Sequence, residues 1–121
     1  MQKKYSNSVK IYYPEYSREQ LIKLIKGKIK LLNRKLPVEK IILFGSYAKG
    51  NYTVASDIDL LVIYSDPKNE RDYSICWEII DLPMLELHIY TKSEYEKLKL
   101  SGSKLPTEIE KHGITIWTKK P

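Results

Sequence analysis

The stretch that decides the fold is Ile41-Ile42-Leu43-Phe44-Gly45-Ser46, followed after a short interval by Ser56-Asp57-Ile58-Asp59-Leu60-Leu61-Val62-Ile63. Each half joins polar residues to an apolar run of strand length. Asp57 and Asp59 are separated by one residue, so on a strand their side chains project from one face, with Cα atoms about 7 Å apart. Carboxylates beside a buried strand are costly unless they are paired or bind metal. The stretch therefore predicts two strands with a divalent-metal site at their ends.

Length and hydropathy indicate one domain without a membrane segment. The chain has 121 residues, of which 42% are hydrophobic, and this is enough for one core. We predict a single domain over residues 1–121, with the polar residues 1–8 flexible. Neither a leader-like apolar segment nor a run of about 20 apolar residues occurs, so a cytoplasmic location is expected.

Charge and cysteine content narrow the function classes. Lys and Arg exceed Asp and Glu by 21 to 15, and the net charge of +6 suits either a polyanionic ligand or a solvated lysine-rich surface. Nucleic acid is the less expected ligand, because the sequence has no motif that combines basic and aromatic residues. With one cysteine, Cys76, and two histidines, His88 and His112, a structural zinc site is not expected. Any metal should be held by oxygen.

Periodicity and capping residues place the other elements. Ser17 and Gln20 form a capping-box pattern before a helix that stops at Pro37. Strands are predicted at 38–44, 58–64, 84–90 and 114–117, with a further short strand at 9–13, and a helical turn at 47–49 ends at Gly50. Helices are predicted from Asp66, with Pro67 in the first position, to residue 80, from Thr91 or Ser93 to residue 100, and over 106–112. A helix between two strands implies a crossover. The expected class is α/β, a mixed sheet flanked by helices.

Gly45 and Ser46 predict an anion site. Backbone N–H groups at the start of a helical turn are unpaired, Gly45 would let a phosphate approach without a Cβ in the way, and Ser46 adds a hydroxyl donor. A Gly-Ser turn alone is common, so this interpretation depends on the nearby aspartates. The turn is not a P-loop, because Lys49 precedes Gly50 instead of following it.

Glu86 is the candidate for a third carboxylate. It lies on the predicted strand 84–90, where Glu86 and His88 share the more polar face. Together with Asp57 and Asp59 it would complete a site of the two-metal type, and these ligands suit Mg²⁺. The alternative is an exposed acidic residue on a half-buried strand. His88 could support a ligand, contact the substrate or simply lie on the surface.

These residues resemble the minimal nucleotidyltransferases of the polymerase-beta-like superfamily. The hallmark of that superfamily is a Gly-Ser-x-Ala-Arg-Gly turn followed by Ser-Asp-x-Asp and an apolar strand. Here the two parts read Gly45-Ser46-Tyr47-Ala48-Lys49-Gly50 and Ser56-Asp57-Ile58-Asp59-Leu60-Leu61-Val62. Lys49 departs from the usual Arg and lacks its planar fork, and Glu86 stands where the family usually has an Asp.

The resemblance implies a mixed-sheet α/β fold and an enzyme that transfers a nucleoside monophosphate, AMP from ATP, to an acceptor hydroxyl. It implies two Mg²⁺ ions, which Mn²⁺ could replace. The residues that it assigns to nucleotide binding are Gly45, Ser46, Lys49 and Ser56, and those that it assigns to metal binding and catalysis are Asp57, Asp59 and Glu86.

The resemblance also bears on partners. Minimal members resemble antitoxins that pair with a HEPN-domain protein and can modify it with adenylate. A chain of this size has little room for an acceptor domain of its own, so a protein partner or a homo-oligomer is expected to complete the acceptor side. The alternative is a non-catalytic nucleotide-binding module that masks a partner.

Overall fold

The computed structural model describes residues 16–120, which form a four-stranded mixed sheet with helices on both faces. The strand order is β3-β2-β1-β4, with β1 antiparallel to β2 and β4 and with β2 parallel to β3. This confirms the predicted α/β class and the crossover between β2 and β3. The elements are α1 (Arg18–Lys35), β1 (Val38–Phe44), α2 (Ser46–Lys49), β2 (Ile58–Tyr64), α3 (Asp72–Ile80), β3 (Leu85–Thr91), α4 (Lys92–Leu100), α5 (Lys104–His112) and β4 (Ile114–Thr118).

One face of the sheet, which we call the dry face, packs against α1 and α3. Because strand side chains alternate, every second residue of the central strands points to this side. The side chains that meet there form the main core, which includes Leu21, Ile25, Ile29, Leu32, Ile41, Leu43, Leu60, Val62, Tyr64, Cys76 and Ile80. The dry face is therefore buried over the central strands β1 and β2, whereas Leu87 and Ile89 of β3 are only partly buried.

The opposite face, which we call the wet face, is covered only in part. Ile42, Phe44, Leu61 and Ile63 form a smaller apolar cluster with Ile109 of α5. The same face carries Asp59 of β2 and Glu86 and His88 of β3, because each of these residues shares strand parity with the cluster. The candidate functional residues thus lie at the uncovered end of this face.

The start of α1 follows the predicted capping box. The Ser17 hydroxyl accepts a hydrogen bond from the Gln20 backbone N–H at 3.1 Å, and the Gln20 side chain accepts from the Ser17 N–H at 2.9 Å. Ile22, Ile25, Ile29 and Leu32 recur at helical spacing, which predicts a core face that includes Ile22. In the structure Ile22 is only half-buried, and Leu21 is fully buried. The amphipathic stripe is therefore shifted by one residue at its first turn.

The prediction that Asp66 begins a helix is wrong. The helix α3 begins at Asp72, and the loop before it is held by Tyr64, whose hydroxyl accepts from the Asn69 N–H at 2.9 Å and donates to Asp72 at 2.7 Å. The Asp66 carboxylate instead accepts from the hydroxyl of Ser93 at 2.9 Å. A buried tyrosine with two long-range partners outweighs a local capping pattern here.

Both helices that the sequence predicts after β3 are present, and the structure defines the residue at which each begins. Of the two alternatives for α4, the structure uses Thr91, which forms a capping box with Glu94. The helix α5 begins at Lys104 and not at Pro106, because the Ser103 hydroxyl accepts from the Leu105 N–H at 3.4 Å.

Some predictions fall outside the described residues or concern the membrane. The strand predicted at 9–13 and the flexible stretch 1–8 lie outside residues 16–120. Within residues 16–120, none of the helices combines the length and the apolar character that crossing a bilayer would require.

Candidate functional site

Three strand ends bring the site together. Gly45 follows the last residue of β1, Asp59 is the second residue of β2 and Glu86 is the second residue of β3. The sheet register pairs Phe44 with Asp59 and Asp59 with Glu86, so the three positions lie side by side across neighbouring strands. Because the register of a half-buried sheet is fixed by its apolar residues, the core sets this juxtaposition.

Gly45 and Asp59 are in close contact. The backbone at Gly45 has a φ of +75°, and a Cβ placed there would lie 2.1 Å from Oδ2 of Asp59. Any other residue would both strain the backbone and displace the carboxylate. The sequence interpretation left the space at Gly45 for a phosphate, whereas the structure shows that the Asp59 carboxylate also needs it. The glycine of one motif is thus required by the aspartate of the other.

Asp59, Glu86 and His88 form a compact group of potential ligands. Their ligand atoms all lie within 4.8 Å of one another, and Nε2 of His88 is 4.0 Å from Asp59 Oδ1 and 3.9 Å from Glu86 Oε2. The His88 ring packs edge-on against Phe44, with centroids 5.1 Å apart. That packing holds the imidazole beside the two carboxylates, so of the three roles considered for His88, a plain surface position fits the structure least.

The electrostatics of Asp59 favour a bound cation. Its side chain is 21% exposed, and burial, followed by hydrogen bonding and charge repulsion from Glu86, raises the pKa of Asp59 to about 7. The nearby charges of Asp57 and Glu108 contribute in the same direction. Two carboxylates at this separation repel each other unless a proton or a cation lies between them. The donor set of two carboxylates and an imidazole can hold a divalent metal.

Asp57 lies outside the compact group. Pairing of β2 begins at Ile58, whose N–H donates to Met84 at 2.8 Å, so Asp57 precedes the strand and is exposed. Among residues 16–120, the group that meets metal-ligand spacing includes His88 and not Asp57. Alternation would place both aspartates on one face only if the strand included Asp57, and β2 starts one residue too late for that. Asp57 nevertheless lies only two residues before Asp59, and its charge contributes to raising the pKa of Asp59.

The remaining predicted nucleotide ligands have different surroundings. Ser46 opens α2 and is half-buried, and among residues 16–120 its hydroxyl has no side-chain hydrogen bond. The Ser56 hydroxyl accepts from the Thr53 N–H at 2.8 Å and so shapes the loop before Asp57. The Lys49 ammonium lies 3.2 Å from the carboxylate of Glu108 on α5. Ser46 is thus available to a ligand, whereas Lys49 would first have to leave Glu108.

The short helix α2 is anchored to the start of α1. The Arg18 guanidinium donates to the carbonyls of Tyr47 and Ala48, at 3.4 and 3.0 Å, and so satisfies the end of the turn. Tyr47 stacks on Tyr52 at a centroid separation of 4.2 Å. These contacts hold the Gly45–Ser46 turn in place. The sequence interpretation missed Arg18, because its partners lie about 30 residues away.

The fold is similar to that of known nucleotidyltransferases. A Sulfolobus solfataricus protein described as a putative nucleotidyltransferase superposes with a TM-score of 0.56 at 20% identity, covering 85% of each chain. A toxin–antitoxin structure with AMP-PNP superposes with a TM-score of 0.53 at 21% identity, covering 78% of this chain and 74% of the other. At such identities the similarity concerns the fold.

Sequence relatives and a family model agree with the fold. Two Methanocaldococcus jannaschii proteins carry the name putative protein adenylyltransferase; one is 37% identical over 51% of this chain and 61% of its own length, the other 65% identical over 22% and 26%. The chain thus spans about three fifths and about a quarter of these relatives. The model of the nucleotidyltransferase domain matches residues 14–116, which include every candidate site residue. The chain belongs to the nucleotidyltransferase domain family.

Proposed function

We propose that the protein is a Mg²⁺-dependent nucleotidyltransferase that transfers AMP from ATP to a hydroxyl group of a partner protein. The observation that carries the proposal is the contact between Gly45 and Asp59, with Glu86 and His88 within metal-ligand distance of Asp59. The family fixes the reaction class, and this arrangement joins the phosphate turn to the carboxylates within one site.

The residues present fit a divalent cation. Asp59 and Glu86 supply the carboxylates, and Asp57 or His88 is the further ligand. Bound Mg²⁺, or Mn²⁺ in its place, neutralises phosphate charge during the transfer, and two ions are expected in the active complex. The raised pKa of Asp59 adds support, because the ionised carboxylate gains most from a cation.

The chain's own residues position the nucleotide and accept a proton. Ser46 and the backbone N–H groups after Gly45 would hold the triphosphate, and Lys49 would join them on leaving Glu108. The acceptor oxygen forms a bond to the α-phosphorus, and the bond from that phosphorus to the bridging oxygen breaks. Pyrophosphate leaves with the electron pair. The hydroxyl proton passes to Glu86, whose side chain is 53% exposed and therefore reachable by an acceptor.

The choice of ATP and of a protein acceptor is supported by the relatives. Both Methanocaldococcus jannaschii proteins are named for protein adenylylation, and the toxin–antitoxin structure contains AMP-PNP. A partner toxin is therefore the acceptor we propose, of the HEPN type that the sequence resemblance implies. A non-catalytic module that only masks this partner is the competing function.

Label transfer from ATP tests the proposal. The wild-type protein is incubated with Mg²⁺ and ATP labelled at the α-phosphate, together with the protein that co-purifies with it, and the other labelled nucleoside triphosphates serve as controls. Asp59→Asn should reduce transfer at least about a hundredfold, because it removes the central charge of the site. Transfer that survives this substitution would refute the site, and no transfer by the wild type would favour the masking function.

Two further variants decide the remaining ligand. If Asp57 holds the metal, Asp57→Asn should lower transfer and the Mg²⁺-dependent rise in the thermal midpoint, and His88→Gln should change both less. If His88 is the ligand, the order is reversed. Glu86→Gln should reduce the rise in either case, and an unchanged rise would remove Glu86 from the site.

A further inference from the structure

The two edges of the sheet differ in how well they are protected against a further strand. The β4 edge has five residues, its pairing with β1 contains a register shift between Ile41 and Ile42, and Lys119 and Lys120 follow it. The β3 edge has seven residues that pair with β2 without a register shift, and Glu86 is its only carboxylate. Charges and bulges are the usual protection of an edge. Within residues 16–120, β3 pairs only with β2, so its outer side is open to a partner strand.

An aromatic platform lies on the helix beside this edge. Tyr73 and Trp77 of α3 are 52% and 46% exposed, and their rings stack with centroids 6.0 Å apart and planes at 12°. Met84, which directly precedes β3, is 51% exposed. Both aromatic residues recur at helical spacing with Cys76 and Ile80, a pattern typical of a core face, but only Cys76 and Ile80 are buried. Large aromatic side chains left half in water are typical of binding surfaces.

Between Arg71 and Lys92, the exposed charged side chains are all carboxylates. Residues 72–91 contain four carboxylates and neither lysine nor arginine, although the chain has 21 Lys and Arg. Asp72 is buried and bonded to Tyr64, while Asp81 and Glu86 are exposed. An acidic edge beside stacked aromatic rings is complementary to arginine or lysine side chains.

We propose that the outer edge of β3, together with Tyr73 and Trp77, is the docking surface for the acceptor protein, which adds an extended, basic segment as a fifth strand. The inference rests on the proposed function, since it assigns the surface to the acceptor. A strand added there lies about 4.8 Å from β3. Its residue opposite Glu86 then presents its side chain on the wet face next to that carboxylate.

A peptide-binding assay tests the surface without ATP. The probe is a short labelled peptide in which valine and arginine alternate around one central tyrosine, and a peptide with glutamate in place of arginine is its control. Trp77→Ala should weaken binding at least about tenfold, because a large exposed aromatic anchor is lost. Leu31→Ala is the matched control, since Leu31 on α1 is also 46% exposed and should leave affinity unchanged.

A charge pair of variants sharpens the test. Asp81 has a φ of +49°, which asparagine tolerates, so Asp81→Asn keeps the backbone and removes the charge. It should weaken the arginine peptide several-fold at low salt and less at high salt. Glu78→Gln is the control, because Glu78 lines the groove on the α1 side of α3, with Lys35 and Ile75. Trp117 is the second of the two tryptophans in the chain, so Trp117→Phe leaves Trp77 as the fluorescent probe. Its fluorescence should change when the arginine peptide binds.

Three results would contradict the proposed docking surface. One is that the wild type and Trp77→Ala bind the arginine peptide with equal affinity. A wild-type dimer that dissociates on Trp77→Ala would assign the edge to a second copy, and peptide binding that appears only after removal of residues 1–15 would assign it to this chain.

The proposed docking surface and the proposed catalytic site can be tested independently of each other. Asp59→Asn should keep peptide affinity and lose label transfer, whereas Trp77→Ala should raise the KM for the acceptor protein at unchanged kcat. A peptide that binds the wild type at the edge while no label transfer occurs would leave the docking surface standing and refute the proposed reaction. If Trp77→Ala still labelled the acceptor fully at low acceptor concentration, the docking surface would be refuted and the proposed reaction would stand.

Discussion

The dry and wet faces of the sheet are built from neighbouring residues with opposite environments. Leu60 on the dry face is fully buried in a continuous core, whereas Asp59, the preceding residue, is 21% exposed on the wet face beside Glu86. The dry face is stabilised mainly by apolar burial, to which the buried hydrogen bond from Tyr64 to Asp72 adds. The wet face carries carboxylates that repel each other. The apolar packing of the dry face thus supplies the stability with which the fold tolerates repulsion between carboxylates on the wet face.

The largest expected effect compares two leucines that are both fully buried, Leu60 on the dry face and Leu61 on the wet face. Leu60→Ala should lower the free energy of unfolding by about 4 kcal/mol, because its cavity is enclosed by the sheet and two helices. Leu61→Ala should cost about 2.5 kcal/mol, since the smaller cluster can relax. Urea denaturation gives both values, and equal costs would contradict the contrast between the faces.

A glycine pair tests the contact between Gly45 and Asp59. Gly45 and Gly102 both have positive φ, +75° and +78°, but a Cβ at Gly102 meets no atom within 4 Å. Gly102→Ala should lose about 1 kcal/mol of stability from backbone strain. Gly45→Ala should lose more, because its φ of +75° and ψ of −153° lie in a region that only glycine adopts readily, and its Cβ would meet Asp59. Only Gly45→Ala should also lose label transfer, about a hundredfold, because it displaces Asp59. Activity assays on both variants check this, and similar activities would show that the contact is unimportant.

The smallest effect is a pH dependence. In the absence of metal, folded Asp59 keeps its proton up to a pKa of about 7, while its ordinary value is 3.8. Between these values the folded state binds more protons than the unfolded one, so this group's stabilising contribution is present below pH 3.8 and lost as the pH rises through 7.

The Asp59→Asn variant has no carboxyl group at this position, so it does not lose this stability as the pH rises. Its stability relative to wild type should therefore rise from pH 4 to pH 7, by on the order of 1 kcal/mol after solvent screening. Denaturation at several pH values without divalent ions measures the difference, which Mg²⁺ should reduce. A difference independent of pH would mean that Asp59 titrates normally.

The strands and the site glycine were predictable because their signals are local. Apolar runs gave β1 and β2 with the observed bounds, and capping residues gave the start of α1 and reduced the start of α4 to two alternatives. The start of α3 was not predictable, since Tyr64 reaches forward to Asn69 and Asp72 and overrides the pattern at Asp66. The exposure of Trp77 was not predictable either, because helical spacing does not show where the neighbouring elements end.

The sequence by itself determined the α/β class, the strands, and the carboxylates and turn that identify a nucleotidyltransferase domain, because these depend on the order of residues along the chain. Only the tertiary structure decided which groups meet. It brought His88 to Asp59 and Glu86, left Asp57 before the strand, and paired Lys49 with Glu108. Within the described part of the chain, it also left the outer side of β3 without a partner strand. The physical reason is register: the pairing of strands, fixed by packing on the dry face, sets distances that no local pattern contains.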